Sequence, residues 1–350
     1  MAPVEAVEQQ GRAGRRAWLV RVGLLVVALA ITVVMVRLVG RIDWHAVGRA
    51  LGELAWWQPL VLVAVVAVRQ VLNGMPLAFY IRGVSVVRAT INDLGAVLMS
   101  AIAPPPSDLA LRVAMFTSWG VPAAKGVAGT LMNTLTFYIV RFSAPALGFV
   151  LLAATDRPAG LRKAEVLSIA IAVGITVAVF LVLRSESLAT SVGTTAGRWA
   201  KRVRRSVDPE AWAEACRTFR HDISATFRYG FGRSLLAMTG LLAADYTVLV
   251  LSLRFVGLST AAVGLVGIAI AYLFAYPFTL FPFSGIGIVD ALILAALVEE
   301  GGAPIEATAV AGLLVWRVFT VGLPVLMGLG ALVLWRRSVA SGGGSGTASS

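Results

Sequence analysis

The chain has one cysteine, Cys216, in 350 residues, so an intrachain disulfide and a thiolate metal cluster are both excluded. Histidine is almost as scarce: His45 and His221 stand alone, each reading as a polar loop residue. That leaves a hydrolase without its usual general bases and metal ligands. No phosphate-cradling Gly-x-x-x-x-Gly-Lys-Ser/Thr loop is present, which argues against direct nucleotide drive. Charge is sparse at 14%, against 58% hydrophobic residues and a mean hydropathy of +0.85. This balance excludes the soluble globular class.

What is abundant is apolar sequence. Runs at 18–40, 59–80, 126–153, 165–183, 234–253 and 305–335 approach the roughly 20 residues that cross a hydrocarbon core about 30 Å thick. The expected fold is an all-α polytopic membrane protein with about six full transmembrane helices. The net charge of +12 does not point to nucleic acid, because 10 of the 30 Lys and Arg residues fall between Arg184 and Arg233. A basic loop 184–233 is expected in the cytoplasm by the positive-inside rule. Arg12, Arg15 and Arg16 precede the first run, which is long and lacks a small-residue cleavage site, so residues 1–17 are expected to be cytoplasmic and the run retained. Residues 336–350 are expected to be a flexible Gly/Ser tail.

Two apolar stretches are broken. "AIAPPPSDLALR" (101–112) offers about 11 apolar residues before Pro104 and about 12 after Pro106, too few for either arm to cross alone. A re-entrant hairpin over about 93–118 is the economical reading. "YPFTLFPFSGIG" (276–287) breaks a second one, over about 260–302. Arg69 and Asp245, Pro106 and Pro282, and Arg141 and Arg317 are each 176 residues apart. The expectation is an inverted repeat, one copy over 18–153 and the other over 165–335, with broken helices in corresponding places as in secondary transporters. Both termini would then be cytoplasmic, with Glu299, Glu300 and Glu306 outside; Arg157, Arg162 and Lys163 would lie outside too, against the charge rule. In the joining loop, Asp208, Pro209 and Glu210 form a helix start. The apolar stripe Trp212, Cys216, Phe219, Ile223 and Phe227 follows, on a helix that either lies on an anionic leaflet or packs as a connector.

Seven charged residues fall in apolar segments: Arg69, Asp108, Arg112, Arg141, Asp245, Asp290 and Arg317. Each costs about 2.5–3.5 kcal/mol at a span centre, so they should face a cavity or one another. Asp108 and Arg112 are spaced i, i+4 and can pair directly. Arg69, Arg141 and Arg317 lie near mid-span and offer planar donor forks suited to phosphate, or to interhelical pairing. Asn73 and Asn133 read as interhelical hydrogen-bonding residues. Gly285 and Gly287 permit a close backbone approach at the head of the following helix, where free N–H groups suit an anion.

"PPPSDLALRVAMFTSWGVP" (104–122), "FPFSGIGIVDALILAALVEEGG" (281–302) and "LLVWRVFTVGLP" (313–324) together resemble the lysylphosphatidylglycerol synthase transmembrane-region family, which includes the flippase domains of multiple-peptide-resistance factors and stand-alone relatives. The family's motif Arg would be Arg112, its acid Asp290 and its later Arg Arg317. The resemblance implies a bacterial plasma-membrane flippase or transporter, not an enzyme. It would move an anionic or aminoacylated phospholipid, or a lipid-linked headgroup, between leaflets. The soluble synthase domain that carries aminoacyl transfer is not expected. Substrate contacts are assigned to Arg69, Arg112, Arg141, Arg317, Gly285 and Gly287, and coupling or charge pairing to Asp108, Asp245 and Asp290. Membrane lipids are the expected partners, with no metal, no cofactor and no nucleic acid; a homo-oligomer is left open. Two other readings stand beside it: a membrane-embedded transferase or hydrolase of lipid-linked phosphates, and a non-transporting scaffold whose charges only join helices.

Overall fold

A computed structural model describes residues 49, 52, 54–103, 106–155 and 209–343. Helix α1 (Gln58–Tyr80) opens with Pro59, whose fixed φ suits a first turn, and Pro76 later removes one rung of its ladder. Gly83 then takes a positive φ of 89°, and the Ser85 hydroxyl accepts from the N–H of Arg88 to cap α2 (Val86–Ile102). The break at the prolines follows, then α3 (Ser107–Ser118) and the long α4 (Ala123–Ala154).

The described chain resumes at Pro209. Helix α5 (Pro209–Phe255) ends at Gly257, φ 93°, and the Ser259 hydroxyl accepts from the N–H of Ala262 at 3.1 Å, as Ser85 does for Arg88. Helix α6 (Leu265–Ala275) passes into a 3-10 turn (Tyr276–Leu280), a single turn α7 (Pro282–Gly285) and α8 (Ile288–Gly301). After a second 3-10 turn (Ala303–Ile305), α9 (Glu306–Arg317), a π-helical turn (Val318–Gly322) and α10 (Leu323–Gly343) form one long apolar rod.

Among the described residues, four helical stretches are long and apolar enough to cross a membrane: Gln58–Tyr80, Ala123–Ala154, Gly230–Phe255 and Ala303–Ala340. The chain is a helical, multi-pass membrane protein. The runs at 18–40 and 165–183 and most of the basic loop lie outside the described residues. Two expectations need correction. The first hairpin's leading arm starts at Val86, not near 93, because the Ser85 hydroxyl caps a helix that begins there. The helix starting at Pro209 is not a separate element within the 184–233 loop. It continues through Gly230 and Gly232 into the membrane stretch as one 47-residue helix, with Gly230 lying against Phe79 and Tyr80 rather than making a turn.

Helices α1 and α5 are antiparallel neighbours: Trp57 meets Phe255 edge-on at one end, and Gly230 lies against Tyr80 at the other. Each broken hairpin has its two ends in contact. Arg88, at the start of α2, stacks 5.7 Å from the ring of Trp119, just beyond α3. The N–H of Gly264, before α6, donates to Glu300 at the end of α8 at 3.3 Å. The first hairpin therefore closes at the Tyr80 end of the α1/α5 pair, where Trp335 of α10 donates to Ser118. The second closes at the Phe255 end, where the guanidinium of Arg254 bonds the carbonyls of Leu258 and Val263.

The main core packs α1, α5, α6, α8 and α9 around Leu62, Val66, Leu249, Ile268, Ile293 and Trp316. Lipid is as apolar as these side chains, so helix association depends on close fit rather than on exclusion of water. Helix α2 shows the device: a Cβ on Gly74 of α1 would sit 2.7 Å from Thr90 Cα, and one on Gly328 of α10 would sit 2.6 Å from the Leu94 carbonyl oxygen. Gly328→Leu is therefore expected to lower the thermal midpoint of the detergent-purified protein by several degrees. Gly330→Leu, at a position with nothing within 4 Å, should leave it nearly unchanged.

Candidate functional site

Four of the seven intramembrane charges pair with one another across helices, Arg69 with Asp245 and Arg317 with Asp290, and Arg112 pairs with Asp93. Arg69, in the middle of α1, donates from Nε to Asp245 Oδ1 of α5 at 2.7 Å and from Nη1 to Gln70. The other carboxylate oxygen of Asp245 accepts from the Tyr272 hydroxyl of α6 at 2.9 Å. The two ionic partners are residues 176 positions apart.

Arg112 does not pair with Asp108. Its Nη2 donates to Asp93 of α2 at 2.6 Å, its Nη1 to Asn92 Oδ1 at 3.0 Å, and the Asn92 amide returns a bond to the Arg112 carbonyl. Asn73 of α1 donates to the remaining oxygen of Asp93, giving the interhelical role expected of it. The correction has a physical cause. Asp108 lies in the first turn of α3, where the helix dipole favours an acid, while Arg112 faces the opposing arm of the hairpin. Asp93 itself is only 3% exposed at its side chain.

Arg317 ends α9, where the ladder widens into the π turn. Its Nε donates to Asp290 Oδ1 at 2.7 Å and its Nη1 to the Ser284 carbonyl at 3.2 Å, while Nη2 is buried without an acceptor. Asp290 also accepts from the N–H of Gly287, which starts α8. Ser284, Gly285 and Gly287 all have positive φ, at 56°, 65° and 84°. A Cβ on Gly285 would collide with the Phe278 carbonyl, so glycine is required there on both counts. Gly285 and Gly287 thus shape the apex that Arg317 and Asp290 hold together.

Arg141 differs from the other three. It lies mid-way along α4, 8% exposed, and among the described residues it makes no ion pair and no hydrogen bond. Its Nε is buried without an acceptor. Aromatic rings surround it instead: the guanidinium carbon is 4.1 Å from the Phe137 centroid, 5.8 Å from Tyr138 and 6.0 Å from Tyr276. Pro145, four residues on, removes the N–H that would bond the Arg141 carbonyl, so the ladder is loosened here as it is after Arg317. Arg141 and Arg69 share Asp245, Tyr272 and Tyr276 as charged and polar neighbours, which makes one cluster of two cations and one carboxylate. Tyr272 stacks 5.3 Å from Tyr276 within it.

Sequence reasoning missed Asp93, Asn92, Tyr272 and Tyr276. The first two were legible as the polar pair in "TINDLGA", had the hairpin been started at Ser85; the tyrosines reach the site only through packing of the two halves. Asn133 Oδ1 is buried with no partner among the described residues. No three His, Cys, Asp or Glu side chains gather as a metal would need among the described residues.

Removing one member of a buried pair strands the other, at a cost of about 3 kcal/mol. Asp245→Ala and Asp93→Ala should each lower unfolding stability in detergent by about that amount, measured by denaturant titration. Asp108→Ala should change it by less than about 0.5 kcal/mol.

Residues 20–328 match the family described as the lysylphosphatidylglycerol synthase TM region. A search of curated proteins finds no match.

Proposed function

Because the chain belongs to the lysylphosphatidylglycerol synthase TM-region family, we propose that it is a lipid transporter that moves an anionic or aminoacylated headgroup between leaflets. The observation that carries this reading is the placement of two broken hairpins closed at opposite ends of the α1/α5 pair. At 17 and 12 residues, α2 and α3 are about 25 and 18 Å long, short of a hydrocarbon core of about 30 Å. Each hairpin enters and leaves by one face, so its apex stands at membrane depth with irregular backbone that only protein or a wet cavity can satisfy. Two such elements, one from each side, give the inverted repeat of an alternating-access carrier.

In this reading the Tyr80 end faces the cytoplasm. Arg82, Arg88, Lys125, Arg233, Arg336 and Arg337 lie at or near it, whereas Glu299, Glu300 and Glu306 lie at the other. The three Arg–Asp pairs join the two long helices α1 and α5, the two arms of the first hairpin, and α8 to α9. They are the places where contacts can be exchanged between states, while the acyl chains stay in lipid.

The mutual pairing of three arginines also favours a scaffold whose charges merely join helices, and transport separates the two readings. In proteoliposomes, headgroup-labelled phosphatidylglycerol should become accessible from the opposite leaflet faster than in protein-free vesicles. The charge-neutral double variant Arg69→Gln/Asp245→Asn, which removes both charges together, should insert normally yet lose most of that rate. Unchanged movement in this variant would make the pair structural, and no movement by the native protein would sink the transporter reading. With Cys216→Ser as background, Ser338→Cys and Glu306→Cys should react with impermeant maleimide from opposite faces.

A further inference from the structure

Three intramembrane arginines have aspartate partners, and the fourth has rings. An uncompensated buried guanidinium is expensive in a low-dielectric interior. The Phe137 face at 4.1 Å offsets part of that cost, but a ring face does not satisfy in-plane N–H donors. Asp245 makes no hydrogen bond to Arg141: its Oδ1 accepts from Arg69 and its Oδ2 from Tyr272. Among the described residues, the cluster of Arg69, Arg141 and Asp245 carries one surplus positive charge beside the rings of Phe137, Tyr138 and Tyr276.

We propose that Arg141 is the receptor for the single negative charge of a phosphodiester lipid headgroup, bound beside Phe137, Tyr138 and Tyr276. The Arg69–Asp245–Tyr272 triad is then scaffolding for the site rather than part of it. One unpaired cation matches the one charge of a phosphodiester better than the nearly two of a phosphomonoester. A guanidinium fork suits two phosphate oxygens at once. A second cation on the ligand gains little here, since the rings are occupied by Arg141 itself. The repeat gives the contrast: Arg317, 176 residues on, holds Asp290, an internal carboxylate in the place where Arg141 has none. The proposal rests on the transporter reading for the claim that a headgroup reaches this depth. Its test reads binding, without translocation.

The detergent-purified full chain would be titrated with phosphatidylglycerol, phosphatidic acid, phosphatidylcholine and diacylglycerol, with retention read by native mass spectrometry. The native protein should retain phosphatidylglycerol above the other three. Arg141→Gln should lower its retention by about tenfold to a hundredfold, the loss expected of charge-assisted hydrogen bonds, and leave diacylglycerol retention unchanged. Arg141→Lys should recover part of it. The thermal midpoint of Arg141→Gln in lipid-free detergent should equal or exceed that of the native chain, because the variant removes an unpaired buried charge. A purely structural arginine would instead lower it. Unchanged phosphatidylglycerol retention in Arg141→Gln overturns the proposal, as does tighter native retention of phosphatidic acid. Inorganic phosphate that raises the native midpoint while no lipid is retained selectively would assign the site to a soluble anion and overturn the lipid. Arg141-dependent retention in a protein that moves no lipid would leave this site standing and sink only the transporter reading.

Discussion

A charge inside a membrane protein must be answered by another group within a few ångströms, and the architecture follows from how each is answered. Arg69 and Asp245 tie α1 to α5, Arg112 and Asp93 tie α3 to α2, and Arg317 and Asp290 tie α9 to α8. Of the arms too short to cross alone, α2, α3 and α8 have an ionic contact to a partner arm or a long helix, and α6 has the hydrogen bond from Tyr272 to Asp245. Apolar packing could not by itself choose among sliding arrangements of greasy helices, since lipid competes for the same contacts. A buried ion pair has one register that satisfies it, because misalignment strands two charges at once.

The pairs also explain why the hairpin breaks are tolerated. At the second apex, Ser284 sits at φ 56°, unusual for a residue with a Cβ, and its carbonyl would lack a helical donor. Arg317 supplies the donor, and the carboxylate it grips binds the free N–H at the head of α8. One side chain thus joins a strained turn, a helix start and the π turn that follows it. The irregular backbone and the intramembrane charge answer each other's unmet bonding at the same spot.

The parts legible in the sequence were those set by local chemistry. Proline and glycine positions located both breaks, and apolar length located the four described spans. Helical spacing was a poorer guide to partners. Asp108 is one turn from Arg112 and yet the carboxylate that matters, Asp93, comes from the opposite arm. The polar stretch around "FRYGFGRS" reads as a loop by composition, but tertiary contact of Gly230 with Tyr80 keeps it helical. The setting of Arg141 was unreadable because its third ring, Tyr276, arrives from the other half of the chain.

That uninterrupted α5 has a mechanical corollary. At about 1.5 Å per residue it is about 70 Å long, more than twice the thickness of a hydrocarbon core. The segment ahead of Gly230 is about 30 Å of rod with no hinge, rooted in the helix that carries Asp245. Each degree by which the buried part leans displaces the far tip by about 0.5 Å, as a pointer magnifies the turning of its axle. Any lean of the buried part would thereby be carried, with no break in the helix between, to the far tip of the segment.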